Sequence, residues 1–188
     1  RPQVRPGMVR RSSLLERLAR GDAGPIVSVV APPGYGKTTL LSQWAERDGQ
    51  AFAWVSVEEG DNDPKVLLRY IAEALDVVEP IDQRVFDALT SPASSIPGSV
   101  VPRLGSAFSS MTSPVVLVLD DVHLLRNLEC RAALAVLADH VPGGSQLAFA
   151  GRAQPPLRVA RLRAEGKILE IGPRDLSFAR EEASSLLR

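Results

Sequence analysis

An α/β fold built on a parallel sheet is the class this sequence predicts, and three observations predict it. Short apolar runs of strand length alternate with helix-length amphipathic stretches along the whole chain. One run, Val115–Leu119, is apolar at every position, as a central strand covered on both faces must be. The stretch from Ile26 to Leu41, IVSVVAPPGYGKTTLL, reads as an apolar strand, a Pro/Gly turn and a helix opening on Lys-Thr-Thr. Right-handed crossovers between such strands put a ligand at their carboxyl ends.

The elements follow in order. Ser13 with Glu16 three residues on is a capping box, and Leu14, Leu15, Leu18 and Ala19 give the short helix after it one apolar side. Gly21–Gly24 breaks that helix before the first strand, Ile26–Ala31. The helix from Lys37 carries Leu40, Leu41, Trp44 and Ala45 on one face. Asp48-Gly49 then turns the chain into a second strand, Phe52–Val57. Asp63 before Pro64 is an N-cap and N1 pair for a helix with Val66, Leu67, Tyr70, Ile71, Ala74 and Leu75 on its face. Residues 80–98 are Pro/Ser-rich and predict a loop with a short helix; 99–111 predict a further helix. A third strand, Val115–Asp121, and a helix marked by Ala132, Ala133, Val136 and Leu137 come next, the helix stopped by Pro142-Gly143-Gly144. Leu147–Ala150 and Ile168–Ile171 are the last strands, and a helix starts near Ser177. Residues 1–24 thus form a lead-in with a short helix, and 25–188 one domain, which we expect to continue beyond 188 as a fragment of a longer chain.

The first strand, turn and helix form a phosphate cradle. A tight loop turns backbone N–H groups inward, and the helix brings its unpaired N–H groups and positive dipole end to the same point. Lys37 can reach outer phosphates, and the Thr38 hydroxyl can bind Mg²⁺. The spacing is that of the Walker A motif with Ala31 at its first glycine. The third strand ends in Asp120 and Asp121. Asp120 can hold Mg²⁺, which favours one or two carboxylates plus phosphates, and Asp121 can orient or deprotonate an attacking water. Paired aspartates after a strand also serve as plain turn residues, but the phosphate loop in the same chain favours function. Arg152, after the fourth strand, fits either a cation that reads a γ-phosphate or a solvated loop arginine, the first being favoured. Asp61, Asn62 and Asp63 fit either a site contact or a helix-capping turn. His123 follows the Asp pair and fits either tuning of the site or a surface histidine, the surface reading being favoured, and His140 reads as a helix-end residue complementing the dipole. Trp44, Trp54 and Cys130 read as packing residues.

Composition sets limits. The 188 residues are 45% hydrophobic and 23% charged, enough for one globular core. Lys plus Arg equals Asp plus Glu at 22 each, so the basic excess of a nucleic-acid binder is missing, although Arg1–Arg20 and Arg152–Lys167 are locally basic. The single cysteine, Cys130, excludes an internal disulfide and a cysteine metal cage and suits a reducing cytoplasm. The apolar runs are too short to span a bilayer, and the chain opens on no signal-peptide pattern.

APPGYGKTTLLSQW, AWVSVEEGDNDP, VVLVLDDVHLL, LAFAGRAQPPLRVARLRAEGKILEI and DLSFAREEA together resemble the nucleotide-binding domain of MalT-like, large ATP-binding LuxR-type transcriptional regulators, of the STAND class of P-loop ATPases. The resemblance runs from about Val9 to the end. It implies a three-layer P-loop NTPase fold with a five-stranded parallel sheet in the order 2-3-4-1-5, holding ATP or ADP with Mg²⁺. It assigns Pro33, Gly34, Tyr35, Gly36, Lys37, Thr38 and Thr39 to the phosphates, Thr38 and Asp120 to Mg²⁺, Asp121 to catalysis with Lys37, and Arg152 to the sensor position. MVRRSSLLERL resembles the family's lead-in, whose backbone near Val9 and Arg10 lies by the adenine. The implied function is a cytoplasmic regulatory switch with slow ATP hydrolysis. Its partners would be the C-terminal domains of the same polypeptide and other copies of itself, with no membrane and no direct DNA contact by this region. A P-loop kinase or AAA-type motor, and a module that binds nucleotide without hydrolysing it, stay open as alternatives.

Overall fold

The structure, a computed structural model, describes residues 11–19 and 24–177. Five strands, β1 (Ile26–Val30), β2 (Ala51–Ser56), β3 (Val115–Asp120), β4 (Gln146–Gly151) and β5 (Ile168–Ile171), form one parallel sheet in the order β2-β3-β4-β1-β5. This is the order the resemblance implied. The helices are α1 (Ser12–Ala19), α2 (Lys37–Arg47), α3 (Pro64–Val78), α4 (Gln83–Thr90), α5 (Val101–Ser109), α6 (Leu128–Ala138), α7 (Val159–Ala164) and α8 (Pro173–Leu176).

Strand alternation separates two cores. Val115, Leu117 and Leu119 of β3 face α3, α5 and α6 and pack with Leu68, Ile71, Phe108 and Leu134. Val116 and Val118 face the other way, toward Leu14 and Leu18 of α1 and Leu40, Leu41 and Trp44 of α2. Because both faces are covered, β3 is apolar from Val115 to Leu119 and buried at every position. Trp44, 1% exposed, meets Phe52 edge-on with ring centroids 5.1 Å apart and donates its indole N–H to Asp48. That anchors α2 on the sheet; truncating such a ring costs about 3–5 kcal/mol.

The register aligns the strand ends. Ser56 pairs with Asp120 and Val30 with Gly151, so the segments after β1, β2, β3 and β4 emerge along one edge. At the far side of α2, Arg11 is 7% exposed and donates to the carbonyls of Leu176 (2.6 Å) and Ser177 (3.2 Å), satisfying acceptors that the end of α8 leaves unpaired. Its backbone N–H donates to Gln43 Oε1 of α2 at 3.3 Å.

Three elements depart from the sequence expectation. α1 begins at Ser12, two residues earlier than a Ser13 N-cap implies, so Ser13 lies inside its first turn and is not the cap. The helix expected over 99–111 starts as a π-helical turn, Ile96–Val100, capped by Ser95, and ends at Ser109. Pro102 has no N–H to give to the carbonyl four residues back, which favours the wider turn. The short helix expected within 80–98 is α4, capped by Asp82. α7 was not foreseen, because its six Arg-rich residues carry too little apolar period. The expected helix from Ser177 falls almost wholly outside the described residues; Ser177 itself is extended. No helix among the described residues is long and apolar enough to cross a membrane.

Candidate functional site

The loop between β1 and α2 turns at two glycines in the left-handed region, Gly34 (φ 84°) and Gly36 (φ 76°), where any L side chain would cost about 1–2 kcal/mol. Gly36 caps α2, and its carbonyl accepts from Leu40 N at 2.8 Å to close the first turn. Pro32 to Tyr35 are exposed, and a Cβ built on Gly34 would stand in open space. The mouth of the loop is therefore clear. Ala31 N–H donates to Gly151 O at 3.2 Å, which fixes the loop to the end of β4. Lys37 is 8% exposed and folds back so that Nζ donates to the carbonyls of Ala31 (2.9 Å) and Pro32 (3.1 Å). Thr39, half-buried, lies in the same first turn.

Thr38 and Asp120 come together. The Thr38 hydroxyl donates to Asp120 Oδ2 at 2.6 Å, and Asp121 N–H donates to Oδ1 at 3.0 Å. Asp120 is buried at the tip of β3, and that burial pushes its carboxyl above the usual range. The hydroxyl bond pulls the other way, the Asp121 charge pushes further up, and the Lys37 charge pulls down. A hydroxyl and a carboxylate side by side are the hard oxygen donors that Mg²⁺ takes, so the residues fit that ion beside a phosphate.

Asp121 is the one non-glycine residue with positive φ among the described residues (φ 58°, ψ 32°). It opens a 3₁₀ turn, Val122–Leu124, in which Leu124 N donates to Asp121 O at 3.0 Å. His123, expected at the surface, has a side chain only 13% exposed, and its Nδ1 lies 3.6 Å from Asp121 Oδ1. The apolar flanks Val122 and Leu125 are buried and draw the ring in with them. Arg152 follows Gly151 at the end of β4, exposed and without an ion pair among the described residues. Val9 and Arg10 lie outside the described residues.

The Asp61–Asp63 segment resolves to structure. Asp61 accepts from Glu58 N at 2.7 Å, and Asp63 caps α3 by accepting from Lys65 N and Val66 N. Asn62 does more than turn the chain. Its Oδ1 accepts from Arg126 N (2.6 Å) and Asn127 N (3.1 Å), and its Nδ2 donates to Leu124 O (3.0 Å) and Glu59 O (3.1 Å). Asn127 returns a bond to Asn62 O at 2.9 Å and caps α6. Asn62 therefore clamps the segment after β2 to the segment after β3. Only the short polar run DND hinted at it.

Residues 12–149 match the profile of the AAA ATPase domain family. Over 176 residues, 93% of the chain, the sequence is 31% identical to the HTH-type transcriptional regulator MalT of Klebsiella pneumoniae, covering 19% of that protein. It is 33% identical over 184 residues, 97% of the chain, to MalT of Serratia proteamaculans, covering 20% of it. The chain thus spans about a fifth of the length of the curated relatives it matches. Among solved structures, the Signal Transduction ATPase with Numerous Domains (STAND) protein with a tetratricopeptide repeat sensor from Pyrococcus horikoshii superposes with a TM-score of 0.63 at 19% identity. That superposition covers 100% of this chain and 26% of that one. These likenesses agree with the resemblance drawn from the motifs.

Proposed function

The chain belongs to the AAA ATPase domain family, and from that premise we propose that it is the ATP/ADP-binding switch of a larger bacterial transcriptional regulator, hydrolysing ATP slowly with Mg²⁺ in the cytoplasm. The observation that carries this reading is the 2.6 Å bond between Thr38 and Asp120, because it joins the phosphate loop to the tip of β3, where Asp120 and Asp121 stand side by side.

Lys37 and the backbone N–H groups of Pro33 to Thr39 (Pro33 itself gives only its fixed turn) hold the phosphates: Gly34, Tyr35, Gly36 and Thr39 by the loop's shape, Lys37 by charge. Thr38 and Asp120 hold Mg²⁺. Bound nucleotide supplies the phosphoanhydride bond and the charge that distinguishes tri- from diphosphate. Asp121 accepts the proton of the attacking water, and Arg152 steadies charge on the outermost phosphate. Val9 and Arg10 are proposed at the adenine on the resemblance alone. The Asp121 side chain is about half exposed, and its contact with the His123 ring is a long 3.6 Å, which supports slow turnover. Its partners are the further domains of the same polypeptide and, in a nucleotide-dependent way, other copies of it. The zero formal charge supports a reading in which DNA contact is left to another region.

Calorimetric titration with ATP and ADP, followed by single-turnover hydrolysis with Mg²⁺, tests the proposal. Tight binding of both nucleotides and slow cleavage are expected. Rapid multiple turnover, or phosphate transfer to a small acceptor, would replace the switch with a motor or a kinase; binding without cleavage would leave a holding module.

A further inference from the structure

We propose that His123 is a positioning residue for Asp121, its Nδ1–H holding the Asp121 carboxylate in the orientation that water activation requires. The inference rests on the hydrolytic role given to Asp121 above.

Three observations carry it. First, His123 Nδ1 is a buried nitrogen with no hydrogen-bond partner among the described residues, and a buried polar atom left unpaired calls for an explanation. Second, the polar atom it faces is Asp121 Oδ1, 3.6 Å away, a few tenths of an ångström beyond a formed bond. Contacts among catalytic groups are commonly long before the substrate complex forms and tighten within it. Third, the backbone that brings the two together is strained and held. Asp121 sits at φ 58°. The turn after it is fixed from the β2 side by Asn62, on Leu124 O, Arg126 N and Asn127 N. From the β4 side Gly151 closes on it: a Cβ there would meet His123 N at 3.4 Å. Strain of this kind persists where the surroundings over-determine it, and the geometry it secures here is the imidazole against the carboxylate.

The geometry also fixes which nitrogen matters. A donor at Nδ1 can be replaced by the amide nitrogen of Asn, whereas Gln carries its amide farther out, near where Nε2 lies. In single-turnover hydrolysis by the intact protein, His123→Leu and His123→Gln should lower the rate about tenfold or more, as loss of an orienting partner does. ATP affinity should stay within about twofold. His123→Asn should recover most of the rate. In an Asp121→Asn background, His123→Leu should add nothing.

A second readout does not depend on turnover. With the ring neutral, imidazole ¹⁵N shifts, assigned by the signal lost in His123→Asn, should show the Nδ1–H tautomer, and Asp121→Gly should move it toward Nε2–H. An Nε2–H tautomer unaffected by Asp121→Gly, or equal rates for the Leu, Gln and Asn variants, would overturn the proposal. If Asp121→Asn itself leaves hydrolysis unchanged, the role of Asp121 falls, while the tautomer measurement still decides whether His123 engages it.

Discussion

The Thr38 hydroxyl and the Asp120 carboxylate, 82 residues apart in sequence, share a 2.6 Å hydrogen bond that ties the first turn of the phosphate-loop helix to the tip of the central strand. A buried carboxylate is thereby kept beside the phosphate cradle, and its burial pushes it toward the protonated form.

Asp120→Asn should consequently stabilise the nucleotide-free protein while removing the Mg²⁺ dependence of nucleotide binding. At neutral pH the native carboxylate bears the desolvation cost that the amide escapes. Its folded pKa lies above the ordinary value, so the cost is relieved as pH falls and the proton returns. Thermal melts should show the variant above the native protein at neutral pH, by about 2–4 °C per kcal/mol, with the gap narrowing as pH is lowered through the carboxylate range. A gap that widens on acidification would contradict a desolvated Asp120.

Lys37→Ala should weaken ATP binding about ten- to a hundredfold, the equivalent of roughly 1.5–3 kcal/mol for a charge-assisted contact. Calorimetric titration showing native affinity would remove the phosphate-loop assignment.

Asp121→Gly should separate stability from turnover. Glycine is at ease at φ 58°, so the substitution relieves strain of up to about 1–2 kcal/mol while deleting the carboxylate. A melt at or above the native temperature, with single-turnover hydrolysis lost and nucleotide binding retained, is the expected pair of results.

Arg152→Ala should lower ATP affinity or turnover and leave ADP affinity within about twofold, a change of about 0.4 kcal/mol. An exposed guanidinium at the end of β4 can follow the outermost phosphate and finds little to hold in the diphosphate. Equal losses for the two nucleotides would make Arg152 a diphosphate or structural contact.

Asn62→Ala should cost about 1–3 kcal/mol, because it strips partners from Arg126 N, Asn127 N and Leu124 O together. A melting temperature lower by several degrees is the readout; an unchanged melt would mean that water replaces the clamp without loss.

Local pattern made the five strands legible. Val115–Leu119 could be read as a central strand because covering both faces forbids polar residues there, and IVSVV with the Pro/Gly turn announced the cradle. Which strand lies beside which depends on pairing across long loops, and only the resemblance supplied the order. Lys37, Thr38 and Asp120 were visible as motif members, since their chemistry dictates their spacing. His123 was visible as a neighbour of the Asp pair, but its burial was not: that follows from Val122 and Leu125 entering the core and from Asn62 reaching across from the other strand. No window around residue 123 contains that information. The π turn at Ile96–Val100 was hidden in the same way, behind prolines that read as loop.

Arg11 gives the domain a mechanical property. Its guanidinium grips the backbone at Leu176 and Ser177 while its own backbone is fastened to Gln43 on the phosphate-loop helix. Tension on the chain at Ser177 would therefore reach α2 through Arg11 as well as through the packing of Leu176, by a route that bypasses the sheet. Movement of that helix would travel outward along the same tether.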